Sequence, residues 1–226
     1  MKNDATLTYH KKVLWVPIAA VVTIWFIYWI EITFGYNFNS YGILPRDFKG
    51  LRGIILSPFI HSGVSHLFNN TVPLFVLLAF LFFFYKEVAF KVLLYGIFFS
   101  GVFNWMIGRN AYHIGASGVI YLLFSFIFFS GVIRKHYRLI ASSLVVIFLY
   151  GSMVWLLIPL EDRISWEGHL SGFLLGILYA FLYRKKGIVK KEFQFSETEF
   201  DQLFDDHGNL IETPNDIKNA TQFSDE

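Results

Sequence analysis

The sequence predicts an all-α membrane protein, a bundle of six transmembrane helices with a long first outer loop. Three observations carry that prediction. Of the 226 residues, 55% are apolar, 20% aromatic and only 16% charged, a composition far from that of a soluble domain. Six segments, near 13–33, 66–85, 89–108, 115–133, 138–159 and 166–184, approach the ~20 apolar residues that cross a bilayer core. The basic residues are also sorted by side. With the N-terminus inside, the inner segments hold fourteen Lys and Arg, and the outer segments hold only Arg46, Lys49, Arg52, Arg109 and Arg163. Such a bias sets orientation, and an even number of spans puts both termini in the cytoplasm.

Span one is too long for a signal-peptide core and has no small-x-small cleavage site behind it, so it reads as a retained anchor. The link over 34–60 carries Phe, Tyr, Ile and Leu among its polar residues, which predicts a loop that packs on the membrane or dips into it. Short links at Glu87 and at Arg134-Lys135 predict antiparallel hairpins. From about residue 192 the chain changes character. Ten of its seventeen carboxylates fall there with one lysine, Lys218, and Gly208-Asn209 and Thr213-Pro214-Asn215 are turn signals. The expected division is therefore a cytoplasmic N-terminus at 1–12, a six-span core at 13–186 and a loosely ordered acidic cytoplasmic tail at 187–226. Phe200, Leu203 and Phe204 could share one face of a short helix in that tail, although a merely solvating role is favoured. The chain has no cysteine, which removes disulfides and thiolate chemistry.

Polar residues in apolar spans are costly and mark function. Spans two, four and six all run from outside to inside, so their N-terminal ends share the outer face. His61, His66, Asn69 and Asn70 lie at the start of span two. Ser117, in Gly115-Ala116-Ser117-Gly118, opens span four, and His169, in Gly168-His169-Leu170-Ser171-Gly172, opens span six. At 1.5 Å rise per residue these groups fall within roughly 10 Å of the outer boundary. Gly115, Gly118, Gly172 and Gly176 supply small faces that let spans four and six approach closely.

Exclusion narrows the chemistry. No His-Glu-x-x-His pair is present, so the zinc-protease pattern fails and no metal is expected. An aspartyl mechanism needs two intramembrane acids, and the spans hold only Glu31 and Glu167, near outer ends. There is no phosphate-binding glycine loop and no nucleic-acid surface. What survives is Ser117 as nucleophile and His169 as general base, a dyad, with no role assigned to Glu167. Tyr121, four residues after Ser117, either stacks on His169 or belongs to the interfacial aromatic belt. His66 and Asn70 point the same way from span two and, with the Ser117 amide, form a candidate oxyanion hole. Asn69 points elsewhere, to cap the helix or line the water path, His61 is placed to donate to a loop carbonyl and hold the entry geometry, and His113 reads as loop packing. His10, His136 and His207 read as solvent-side residues.

These motifs, in this order and on these spans, resemble the rhomboid intramembrane serine proteases over roughly residues 13–186. The resemblance implies a minimal six-span enzyme of the bacterial plasma membrane, without cofactor, that cuts transmembrane segments of membrane proteins near the outer face. By the same resemblance Ser117 and His169 are the dyad, and His66, Asn70 and the Ser117 amide are the oxyanion hole. Tyr121 falls at the family's stacking position. Arg52 falls near the family's Trp-Arg pair, with Leu51 replacing Trp. A substrate segment would then enter laterally past spans two and five. The competing interpretation, a non-catalytic rhomboid-like factor that binds transmembrane segments, would be marked by loss of the serine or the histidine, and both are present. A channel or transporter would show paired charges deep in the spans, and none occur. Oligomeric state has no sequence signature here.

Overall fold

The computed structural model describes residues 10–159 and 164–188, with Phe204, His207, Gly208 and Leu210. Two compact units divide the chain, Met1–Lys190 and Lys191–Glu226. In the second, Phe204 and Leu210 pair as an isolated antiparallel bridge. Arg163, Phe200, Leu203 and most of the expected acidic tail lie outside the described residues.

The described residues of the first unit form helices, the turns and loops that join them, and one isolated bridge between Ile43 and His113. Its α-helices are α1 (Lys12–Phe34), α2 (Gly53–Leu56), α3 (Val64–Phe84), α4 (Ala89–Ile107), α5 (Ser117–Arg134), α6 (Tyr137–Tyr150) and α7 (Trp166–Leu182). Among the described residues, five helical stretches are long and apolar enough to cross a membrane: α1, α3, α4, α5, and α6 together with the turns that follow it. The sixth segment, α7, has 17 residues. Apolar side chains such as Trp15, Leu94, Leu144 and Phe148 face outward, as they do where lipid replaces water as the solvent.

Helix α5 is the centre. Two thirds of its span (67%) is buried against 17% for α1, so α5 is enclosed by protein and α1 mostly faces outward. It packs most extensively on α7, and glycine makes that possible. A Cβ on Gly172 would run into the Gly118 carbonyl, and one on Gly176 would meet the Leu122 carbonyl and the Ser125 hydroxyl. In lipid no hydrophobic force drives helices together, so close backbone contact and interhelical hydrogen bonds carry the packing. Ser125 Oγ supplies one such bond, donating to the Phe173 carbonyl on α7 at 2.8 Å. Gly115 does not join this seam; it faces His66 of α3.

At the far end of the seam, Arg134 leaves the last turn of α5 to cap α7. Its guanidinium donates to the carbonyl of Tyr183 (2.8 Å), the C-cap of α7, and to those of Lys186 and Ile188 (3.3 Å) in the turns that follow. The same guanidinium lies 5.1 Å from the centre of the Tyr85 ring. The α5–α7 pair is thus held at one end by glycine contact and at the other by a buried cation.

The loop over 34–60 is built of short helical turns. Its Ile43, Ile54 and Ile60 are buried while Phe48 is 90% exposed, so one side rests on the bundle and the other is free. Gly35, in the left-handed conformation (φ 66°), ends α1, and Glu31 accepts from the Phe38 amide at 2.8 Å. Arg46 reaches the Gly108 carbonyl at 2.8 Å and Trp105 Nε1 donates to the Asp47 carbonyl at 2.9 Å, which fastens the loop to the end of α4. Arg52 donates to the Ser40 carbonyl at 2.9 Å and stacks over Tyr41. It holds the loop to itself.

One expected element differs. The segment near 138–159 is not a continuous α-helix: α6 stops at Tyr150 and continues as a 3-10 helix over Gly151–Leu157. Gly151-Ser152 is the weak point, since glycine lowers helix propensity by about 1 kcal/mol.

Candidate active site

Ser117 begins α5 and His169 lies in the first turn of α7, so the Gly118–Gly172 contact sets their separation. Ser117 Oγ is 3.0 Å from His169 Nε2. The other ring nitrogen, Nδ1, is 3.0 Å from the Leu156 carbonyl in the 3-10 segment. A carbonyl only accepts, so Nδ1 carries the proton and donates to it. Nε2 then offers a lone pair, and the Ser117 hydroxyl donates to it. A main-chain oxygen therefore fixes the tautomer that a general base requires. His169 is buried and Ser117 half-buried.

Tyr121, one turn along α5, stacks on the imidazole with ring centres 4.2 Å apart and planes 15° from parallel. Its hydroxyl donates to the Met153 carbonyl at 2.7 Å. The 3-10 segment thus supplies two carbonyls, one to each ring of the stack.

The turn into α5 depends on Gly115. Its φ of +106° is disfavoured for residues with a Cβ, and a Cβ there would lie 2.7 Å from His66 Nε2. The His66 ring is therefore flush against the turn that carries Ser117. Ser62 approaches His66 Nδ1 with its amide at 3.5 Å and its hydroxyl at 3.2 Å. An amide donor there leaves Nε2 protonated, so an N–H faces the turn. Asn70 uses one of its two amide protons on the His66 carbonyl at 2.7 Å and keeps the other. The amide of Ser117 belongs to a first helical turn, whose N–H groups lack intrahelical partners. Ser117, His169, Tyr121, His66 and Asn70 all line one cavity of about 820 Å³. Asn69 lines it too.

His61 meets backbone groups on two sides: the Phe59 backbone in the loop hydrogen-bonds its ring, and the Ala116 amide lies at Nε2. Nε2 accepts from that amide at 3.5 Å. Its ring stands edge-on to His66, centres 5.0 Å apart. Burial, followed by the neighbouring His66, pushes His61 down to about 4, with the Phe59 backbone opposing, which keeps Nε2 free to accept.

Two residues set aside in the sequence belong to the structure around the site. Glu167 is buried, accepts from the Arg109 amide at 3.2 Å and lies 3.9 Å from Arg109 Nε. His113 is more than loop packing: its backbone pairs with Ile43 in both directions (2.9 and 2.8 Å) and its ring contacts Ser165 and the Arg109 carbonyl. Burial is the main cause that lowers its pKa. Arg109 and Glu167 are 58 residues apart, so no local pattern announces them. The one available signal was a carboxylate and an arginine both assigned to outer span ends.

The family model described as Rhomboid domain matches residues 49–186, more than half of the chain. Uncharacterized proteins of Mycobacterium tuberculosis and Mycobacterium bovis are each 34% identical to it over 163 residues, 66% of this chain and 65% of theirs. An uncharacterized protein of Mycobacterium leprae is 31% identical over 165 residues, covering 64% and 60%. The match spans slightly less than two thirds of the length of these curated relatives. With its apolar helices, the chain is a multi-pass membrane protein whose context is a lipid bilayer.

Proposed function

The chain belongs to the rhomboid family, and on that footing we propose that it is an intramembrane serine endopeptidase that cleaves transmembrane segments of membrane proteins near the outer face. The observation that carries this is the hydrogen bond of 3.0 Å between Ser117 Oγ and His169 Nε2, with Nδ1 held on the Leu156 carbonyl. Ser117 Oγ attacks the scissile carbonyl carbon while its proton passes to His169 Nε2. The oxyanion that forms faces His66 Nε2–H, the free Asn70 amide proton and the Ser117 N–H. Collapse breaks the C–N bond, and His169 returns the proton to the departing amine. Water from the open cavity repeats the cycle on the acyl-enzyme, again with His169 as base. Each strong oxyanion donor is worth about 10²–10³ in rate. Leu156 takes the place of a third acid: it orients the ring and adds no charge.

This assignment carries a topology with it. The six helical segments span the bacterial plasma membrane with both termini in the cytoplasm. Residues 13–186 form the catalytic core, 1–12 a short cytoplasmic start and 187–226 an acidic cytoplasmic tail. The substrate segment reaches Ser117 laterally, past α3 and α6. The test is purified protein in liposomes with a model transmembrane substrate, together with labelling by a fluorophosphonate. Wild type is expected to cut and to be labelled, Ser117→Ala to do neither, and His169→Ala to lose labelling. Cleavage that persists in Ser117→Ala would sink the proposal.

A further inference from the structure

The segment leading into Ser117 and the segment leading into His169 are joined by polar contacts that the reaction above does not use. His113 stands four residues before Ser117, and Ser165 stands four residues before His169. Their side chains meet, Ser165 Oγ against His113 Nδ1. His113 Nε2 is 3.1 Å from the Arg109 carbonyl, which only accepts, so Nε2 carries the proton and Nδ1 takes the hydroxyl proton of Ser165. Arg109 then reaches back, donating through Nη2 to the Ile164 carbonyl at 2.7 Å, and Glu167 accepts from the Arg109 amide at 3.2 Å. The link runs both ways between 109–113 and 164–167.

Ser165 is the residue through which this link reaches the site. It occupies the N-cap of α7, where a serine ordinarily turns its oxygen onto a helix amide. Here it makes no such bond; its hydroxyl goes to His113 instead. Its carbonyl accepts from the His169 amide at 3.2 Å, so the backbone that carries the imidazole hangs from Ser165. We propose that His113 and Ser165, braced by Arg109 and Glu167, are positioning residues that set the register between Ser117 and His169. This rests on the endopeptidase assignment above. Glycine contact fixes how closely α5 and α7 approach; the His113–Ser165 contact fixes how far one is slid along the other.

Ser165→Ala removes the hydroxyl and keeps the carbonyl, and Ser165→Thr keeps both. Cleavage kinetics in liposomes, the rate of fluorophosphonate labelling and thermal melts in detergent are measured on the full chain. Ser165→Ala is expected to lower kcat and the labelling rate about tenfold, with KM and melting temperature near wild type, and Ser165→Thr to stay within about threefold of wild type. If Ser165→Ala does not accumulate as folded protein, His113→Leu is judged by the same criteria. A kcat within about twofold of wild type, a loss confined to KM, or an equal loss in the threonine variant overturns the proposal. Wild-type protein that neither cuts nor labels would instead overturn the endopeptidase assignment, so the two failures are distinct.

Discussion

Replacing Gly172 by alanine tests whether the glycine seam sets the Ser117–His169 distance. A methyl group at 172 would meet main-chain atoms of α5: the Gly118 carbonyl, its carbon at 2.9 Å, and the Leu122 amide at 3.1 Å. Unlike a side chain, these atoms cannot rotate away. Carbon contacts are comfortable at about 3.5–4.0 Å, so α7 must retreat by roughly an ångström. That retreat takes Ser117 Oγ–His169 Nε2 from 3.0 Å to about 4 Å, beyond hydrogen-bond reach. A misplacement of that size costs about 100-fold in rate, while overpacking costs about 1–3 kcal/mol in stability. The assay is the second-order rate of Ser117 labelling by a fluorophosphonate, with a melt in the same detergent. Leu174→Ala, on the exposed side of α7, is the control and is expected to label at the wild-type rate. If Gly172→Ala labels within about threefold of wild type, the seam does not set the distance.

Two further outcomes are expected. Tyr121→Phe keeps the stack on His169 and loses the hydrogen bond to the Met153 carbonyl, so it should cost about 1 kcal/mol of stability and leave the labelling rate within a few-fold. Tyr121→Ala also loses the stack and should slow labelling about tenfold further; equal rates in the two variants would contradict this. His61 gives a pH dependence. Its folded pKa, about 4 against an ordinary 6.5, means that the unfolded chain takes up the proton first as pH falls. The stability linked to neutral His61 is therefore complete above about pH 6.5 and lost between 6.5 and 4, up to about 3 kcal/mol. Melts at pH 7.5 and 4.5 measure it, and the difference should shrink in His61→Asn.

Side-chain chemistry of the site was far more legible in the sequence than the main-chain chemistry was. Ser117 and His169 announced themselves because a hydroxyl and an imidazole inside apolar spans are costly, and the parallel direction of their spans brought them to one level. Gly172 and Gly176 told the same story through their spacing. The Leu156 carbonyl could not be read, because every residue carries one and its aim depends on where α6 gives way to a 3-10 turn. Nor could Arg109 and Glu167, whose meeting needs the whole bundle to close. His61 was visible as a polar residue near the site, yet that one of its ring nitrogens accepts is decided by the Ala116 amide that folding delivers. His113 was hidden in the same way, its partner Ser165 being an apparent helix cap whose hydroxyl turns aside.

The group that orients His169 belongs to the main chain, and this makes it invisible to side-chain genetics. Any residue at 156 that keeps the local backbone still presents the oxygen, so a saturation scan would score this position as tolerant while the atom beside it governs the base. Only a change to the backbone itself would expose the dependence. An ester in place of the 156–157 amide, which weakens the carbonyl as an acceptor and alters no side chain, is the perturbation that would reach it.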